Sequence, residues 1–126
     1  MVKSMEAPAA TAGVKEMRLQ EALREALRHE MARDKRVFVM GEDVAMFGGA
    51  YGVTRGLLQE FGDRRVRDTP ISEAAIVGLA IGAAINGMRP IVEIQFCDLL
   101  PLCMDQIVTH AARYYYQTGE IGRAHV

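Results

Sequence analysis

The chain has 126 residues, half of them apolar and a quarter charged, with 15 basic against 16 acidic side chains and a formal charge of -1. That length holds one domain and no second complete one, and the balanced charge gives no long-range field for nucleic acid or an anionic membrane. The longest apolar run, residues 74–85, has 12 residues, well short of the roughly 20 needed to cross a bilayer, which predicts a buried helix and no membrane partner.

Residues 1–16 carry neither the apolar core of a secretory signal nor the basic content of a transit peptide, and are expected to form a frayed extension. Over 19–31, Leu19, Leu23, Ala26, Leu27 and Met31 recur at helical spacing, with Glu21/Arg24, Glu25/Arg28 and Glu30/Arg33 on the other side, which predicts an amphipathic helix. The wholly apolar run 37–40, closed by Gly41, predicts a strand buried on both faces, with Glu42 and Asp43 at its carboxyl end. Gly48, Gly49 and Gly52 make 45–54 a loop with positive-φ positions, ahead of a short helix at 55–61 that Gly62 caps. Pro70 stops extended structure, and Ser72 is a natural N-cap for a helix at 73–86 that ends at Gly87. Residues 91–96 alternate Val92, Ile94 and Phe96 with Glu93 and Gln95, predicting a second strand, and Pro101 opens a last helix over roughly 102–117. The order helix, strand, helix, strand, helix predicts an α/β fold, a parallel sheet flanked by helices.

Ligands of open parallel sheets bind beyond the carboxyl ends of the strands, which here carry Glu42-Asp43 and Cys97-Asp98. A carboxylate pair after a strand is more often a solvated turn. Glu73, one residue past an N-cap, is equally well explained by a helix-dipole interaction of about 0.3–1 kcal/mol. Its setting differs, because the helix it opens is apolar from Ala74 onward. That helix carries Gly78 and Gly82 among alanines, a surface flat enough for another helix to approach, within the chain or at a subunit interface. His29, His110 and His125 lack ligand spacing, so no metal is expected on this chain. Gly48-Gly49-x-x-Gly52 lacks dinucleotide spacing. Cys97 and Cys103 match neither a metal knuckle nor a redox pair, which suits small apolar fillers in a reducing compartment, the cytoplasm. Tyr114, Tyr115 and Tyr116 suit packing at a helix end.

Five stretches carry a resemblance in order and at matching spacing: Val37-Phe-Val-Met-Gly-Glu-Asp-Val44, Gly56-Leu-Leu-Gln-Glu-Phe-Gly62, Arg65-Val-Arg-Asp-Thr-Pro-Ile-Ser-Glu73, Gly87-Met-Arg-Pro-Ile-Val-Glu-Ile-Gln-Phe96 and Asp105-Gln-Ile107. In these the chain resembles the β subunit of the thiamine-diphosphate-dependent decarboxylase component of 2-oxo acid dehydrogenase complexes, of the pyruvate, branched-chain and acetoin types. The resemblance implies a transketolase-like pyrimidine-binding domain, incomplete over 17–119. It also implies thiamine diphosphate as cofactor, with the diphosphate and its Mg2+ held by a separate α subunit. The implied partners are that α subunit in a heterotetramer, a second β subunit and a lipoyl acyltransferase core.

The same resemblance implies that Glu73 hydrogen-bonds a pyrimidine ring nitrogen. That contact favours the imino tautomer and turns the neighbouring exocyclic nitrogen into a base. It further implies that Glu42 lies near the cofactor on a proton path and that Ile71 lines the pocket. Leu99 stands where the family usually stacks an aromatic ring, a change that loses about 0.5–1.5 kcal/mol of stacking. Members of the family are more than twice as long, so the chain is expected to be an N-terminal fragment, inactive alone, and 120–126 is expected to be an artefactual tail. Two other readings stay open: a non-catalytic α/β interaction module, and the pyrimidine domain of a transketolase-type enzyme.

Overall fold

The computed structural model describes residues 16–119. The expectations for the extension up to residue 15 and for the tail 120–126 fall outside the described residues. Helix α1 spans Leu19–Arg33, and the Glu21 carboxylate accepts the Arg18 amide at 3.2 Å at its start. Exposure falls along its apolar stripe from 76% at Leu19 to 1% at Met31, so only the carboxyl-terminal half is seated on the core. Its polar side is less solvated than the spacing predicts. Glu30 does pair with Arg33, but Arg28 reaches across to Glu60 at 2.6 Å and Arg24 donates to the carbonyls of Gly52 and Val53.

Strand β1, Val37–Gly41, is buried at every residue, as an apolar run without alternation requires. It is followed by α2, Leu57–Phe61, by β2, Val66–Asp68, by α3, Glu73–Ile85, and by β3, Arg89–Glu93. The sheet is wholly parallel in the order β2-β1-β3, with Val39 opposite Val66 and Ile91, and Gly41 opposite Asp68 and Glu93. Successive β1 side chains point to opposite faces. Val37 and Val39 join Met31, Val44, Leu57 and Val66 on the α1–α2 face, whereas Phe38 and Met40 join Ile76 and Ala80 on the α3 face. Burial of each of the larger of these side chains contributes on the order of 1.5–3 kcal/mol, which makes β1 the axis of the fold. The Arg65 guanidinium ties α1 to this axis by donating to the carbonyls of Met31, Asp34 and Val37 at 2.6–3.0 Å. At the same corner, hydrogen bonds from Arg36 hold the Asp34 carboxyl well below the usual carboxylate range.

Helix, strand and layer order are as the pattern predicts, with four differences. First, β2 was not predicted: its three residues, Val66, Arg67 and Asp68, are too few for a periodic signal and become a strand only by pairing with β1. Second, β3 starts at Arg89 and ends at Glu93 rather than running over 91–96, because its ladder stops where its partner β1 stops at Gly41. Third, α2 begins at Leu57 because Gly56 is left-handed, φ 86°. Fourth, the continuous helix over 102–117 is replaced by a 3-10 segment, Cys97–Cys103, a π-helical turn, Gln106–Ala111, and a short α4, Tyr114–Thr118. Pro101 lies inside the 3-10 segment and has no amide for an α-helical bond. The π turn is closed by the Ala112 amide bonding the Ile107 carbonyl at 2.9 Å.

Candidate functional site

The carboxyl ends of β1, β2 and β3 lie side by side, and from them leave the three segments that hold the candidate residues. Glu42 directly follows β1 and is half-buried, and its backbone carbonyl accepts the Gln95 side-chain amide at 3.4 Å. Asp43 then takes a left-handed φ of 55°, which turns the chain sharply out of the sheet. The turn is pinned from the β2 side. Asp68 accepts the Ala45 amide at 2.6 Å and the Met46 amide at 3.4 Å, and the Thr69 amide donates to the Gly41 carbonyl at 2.9 Å. Gly41 is itself obligatory, since a Cβ there would lie 2.7 Å from the Glu93 carbonyl oxygen and 3.0 Å from Val44.

The link from β2 to α3 carries the second group. Ser72 occupies the N-cap position of α3 but, against expectation, makes no side-chain cap bond; only its carbonyl is used, by the Ile76 amide at 2.9 Å. Its backbone, φ -167° and ψ 88°, is extended where the chain swings into the helix. Glu73, the first residue of α3, is half-buried, whereas Ile71 is 82% exposed. Thr69 Oγ1 is buried without a hydrogen-bond partner and borders a cavity of about 500 Å³ lined by Phe38, Met40, Asp68, Ile76 and Leu79.

Leu99 lies half-buried in the 3-10 segment, which packs against α3. That packing brings Cys103 into the neighbourhood of Glu73: the Cys103 thiol is fully buried, and burial together with the Glu73 charge raises its pKa. Cys103 is thus the small buried filler that was expected, but Cys97 is exposed. Gly78 settles part of the helix-surface question, because the Gln106 side chain covers it at 3.0 Å from the missing Cβ; Gly82 faces nothing within 4 Å. The structure therefore brings Glu73, Cys103 and the Leu99 segment together. Glu42 stands on the β1 side of the same edge, and no hydrogen bond joins it to Glu73 among the described residues.

Two residues with clear roles at this edge were not singled out in the sequence, Asp68 and Glu93. The Glu93 carboxylate accepts the Ala50 amide at 3.3 Å, and burial, opposed in part by that bond, raises its pKa. Neither carries a local signal, because β2 is legible only by its pairing and Glu93 falls inside the alternating run 91–96 that predicts a longer strand. Among the described residues no group of three or more His, Cys, Asp and Glu could hold a metal ion, and no helix is long and apolar enough to cross a membrane.

A three-stranded parallel sheet whose carboxyl edge presents a glutamate at the head of an apolar helix agrees with what comparison with known families finds. Residues 15–123 match the family described as transketolase, pyrimidine binding domain, and the chain belongs to that family. Among individual proteins it is 54% identical over 101 residues to the pyruvate dehydrogenase E1 component subunit beta of Rickettsia bellii, covering 80% of this chain and 31% of that protein. It is 49% identical over 99 residues to the 2-oxoisovalerate dehydrogenase subunit beta of Bacillus subtilis, covering 79% of this chain and 30% of that protein. The corresponding Rhizobium meliloti pyruvate dehydrogenase subunit is 50% identical over 114 residues, 89% of this chain and 25% of that protein. The chain thus spans less than a third of the length of the curated relatives it matches.

Proposed function

We propose that this chain is the N-terminal part of the β subunit of a 2-oxo acid dehydrogenase, where it holds the aminopyrimidine of thiamine diphosphate for oxidative decarboxylation and acyl transfer to lipoyl groups. The observation that carries the reading is the position of Glu73, a half-buried carboxylate on the first residue of an apolar helix at the carboxyl edge of a parallel sheet. The donor set fits an aminopyrimidine: one carboxyl able to bond a ring nitrogen, with aliphatic Ile71 and Leu99 on the flanking segments and no ion pair to Glu73 among the described residues. When bound, thiamine diphosphate supplies the nucleophilic carbon and the electron sink for losing carbon dioxide from a 2-oxo acid.

Glu73 would hold a proton shared with the ring nitrogen at its carboxyl oxygen, the contact that makes the exocyclic nitrogen the base. Ile71, exposed in this chain, and Leu99 would flank the ring and exclude water from it once the subunits close over the site, and Glu42 stands further along the edge as a second carboxylate for proton movement. The diphosphate and Mg2+ belong to an α subunit. The exposed side chains of Leu100, Leu102, Met104, Ile107 and Val108, clustered in one segment, support subunit contacts with that α subunit or a second β subunit, and a lipoyl acyltransferase would receive the acyl group. The names of the relatives support pyruvate or a branched-chain 2-oxo acid as substrate.

The test is the full-length gene product assembled with its α subunit, comparing Glu73→Gln with wild type. Loss of a general acid–base group should lower turnover by about 10²–10⁴-fold, with thiamine diphosphate binding by calorimetry still measurable. Equal turnover removes Glu73 from the mechanism, and absence of turnover in the wild-type assembly makes a non-catalytic interaction module the better reading.

A further inference from the structure

The loop that leaves β1 is crossed by carboxylates from both flanking strands. Asp68, at the end of β2, takes the amides of Ala45 and Met46 near the start of the loop. Glu93, at the end of β3, takes the amide of Ala50 near its tip. The Glu93 contact is unusually close. A Cβ on Gly49 would lie 2.6 and 2.8 Å from the two carboxylate oxygens, so the absent methyl is the space that the carboxylate fills.

No basic side chain pairs with Glu93 among the described residues, and burial disfavours its charge. A position needed only for packing would be filled more favourably by an apolar side chain. Neighbouring contacts lead back to the candidate site. The Glu93 carbonyl abuts Gly41, two residues on Gln95 bonds the Glu42 carbonyl, and Tyr51 of the loop meets Phe96 edge to face at 6.2 Å.

Resting on the reading above, we infer that Glu93 is a positioning residue for the cofactor site: its carboxylate, wedged between Gly49 and the Ala50 amide, clamps the glycine loop 48–52 onto β3 and so fixes the turn that presents Glu42. Gly49 is the complementary half of the clamp. Its φ of 79° and the carboxylate over its Cα both require glycine.

The test uses the full-length β subunit assembled with its α subunit and four variants, Glu93→Ala, Glu93→Gln, Gly49→Ala and Glu73→Gln. Two readouts are followed: amide hydrogen exchange over 45–54 without cofactor, and the Kd and KM for thiamine diphosphate. Glu93→Ala and Gly49→Ala should each speed exchange of this loop about tenfold, the equivalent of one lost hydrogen bond. Both should raise the cofactor KM more than they lower kcat. Glu93→Gln keeps an acceptor oxygen and should restore both. Unchanged exchange in Glu93→Ala overturns the clamp, and faster exchange with unchanged cofactor Kd and KM overturns its positioning role. Glu73→Gln should lower turnover without speeding loop exchange, so normal turnover in that variant marks failure of the functional reading and not of the clamp.

Discussion

Met31, Val39, Leu57 and Val66 come from four different elements and are each at most 1% exposed, whereas Leu102, Val108 and Tyr116, all from the segment after β3, are 55%, 44% and 91% exposed. The two regions are similarly rich in apolar side chains and treat them in opposite ways. Up to β3, a strand with apolar residues on both faces lies between helical layers, so the side chains that face it meet partners from other elements, while Leu19, Met46, Phe47, Ile71 and Leu79 stay exposed. After β3, the chain packs chiefly along one side of α3, with Ile94 against the sheet-side core and Phe96 on Tyr51. Folding free energy is therefore concentrated in the first region, and the second offers its apolar atoms to other surfaces. The candidate site straddles the boundary, with Glu42 and Glu73 on the sheet and α3 and Leu99 in the open segment.

Truncating one apolar side chain on each side of that boundary gives the largest contrast. Leu57→Ala should destabilise this chain by about 2–5 kcal/mol, while Leu102→Ala should stay within about 0.5 kcal/mol. Urea denaturation of the two variants measures both, and equal losses would erase the distinction. Glycines sharpen the same contrast at smaller scale. Gly41→Ala forces a methyl against the Glu93 backbone and Val44 and should cost about 1–3 kcal/mol. Gly82→Ala meets nothing within 4 Å, lies inside α3, and should stabilise the chain by about 0.5–1 kcal/mol.

The smallest effect is a pH dependence inside the first region. Burial lifts the Glu93 carboxyl above its ordinary range, so its neutral form favours folding, and that contribution is lost as pH rises through the lifted value. Glu93→Gln removes the buried charge and keeps the acceptor for Ala50. It should be more stable than wild type at neutral pH, with the two curves meeting below about pH 4.3, the ordinary glutamate value. Melting temperatures across this range check the sign, and a gain that grows towards acid pH would reverse it.

Most of the first region was legible because each of its signals is local. Helical spacing placed α1, an unbroken apolar run placed β1, Gly62 and Gly87 marked the helix ends, and Gly48, Gly49 and Gly52 all take positive φ as the loop requires. Local patterns failed where pairing decides. β2 exists only against β1, and β3 takes its limits from β1 rather than from its own alternation. After Pro101 the apolar residues still follow a helical period, but that period cannot choose among α, 3-10 and π winding, because what each turn packs against makes the choice.

Residue type and spacing alone determined that this is an α/β domain with a parallel sheet, that Glu42 follows a strand and Glu73 opens an apolar helix, and which family the chain resembles, because these follow from periodicity and from short motifs read along the chain. Only the tertiary structure decided that Cys103 lies buried by Glu73, that Arg65 ties α1 to β1, and that Asp68 and Glu93 grip the loop between them. Those contacts join residues 23 to 43 positions apart for each loop carboxylate and its nearest amide. No local pattern encodes such a pairing, which appears only once the parallel ladder has set the strand ends side by side.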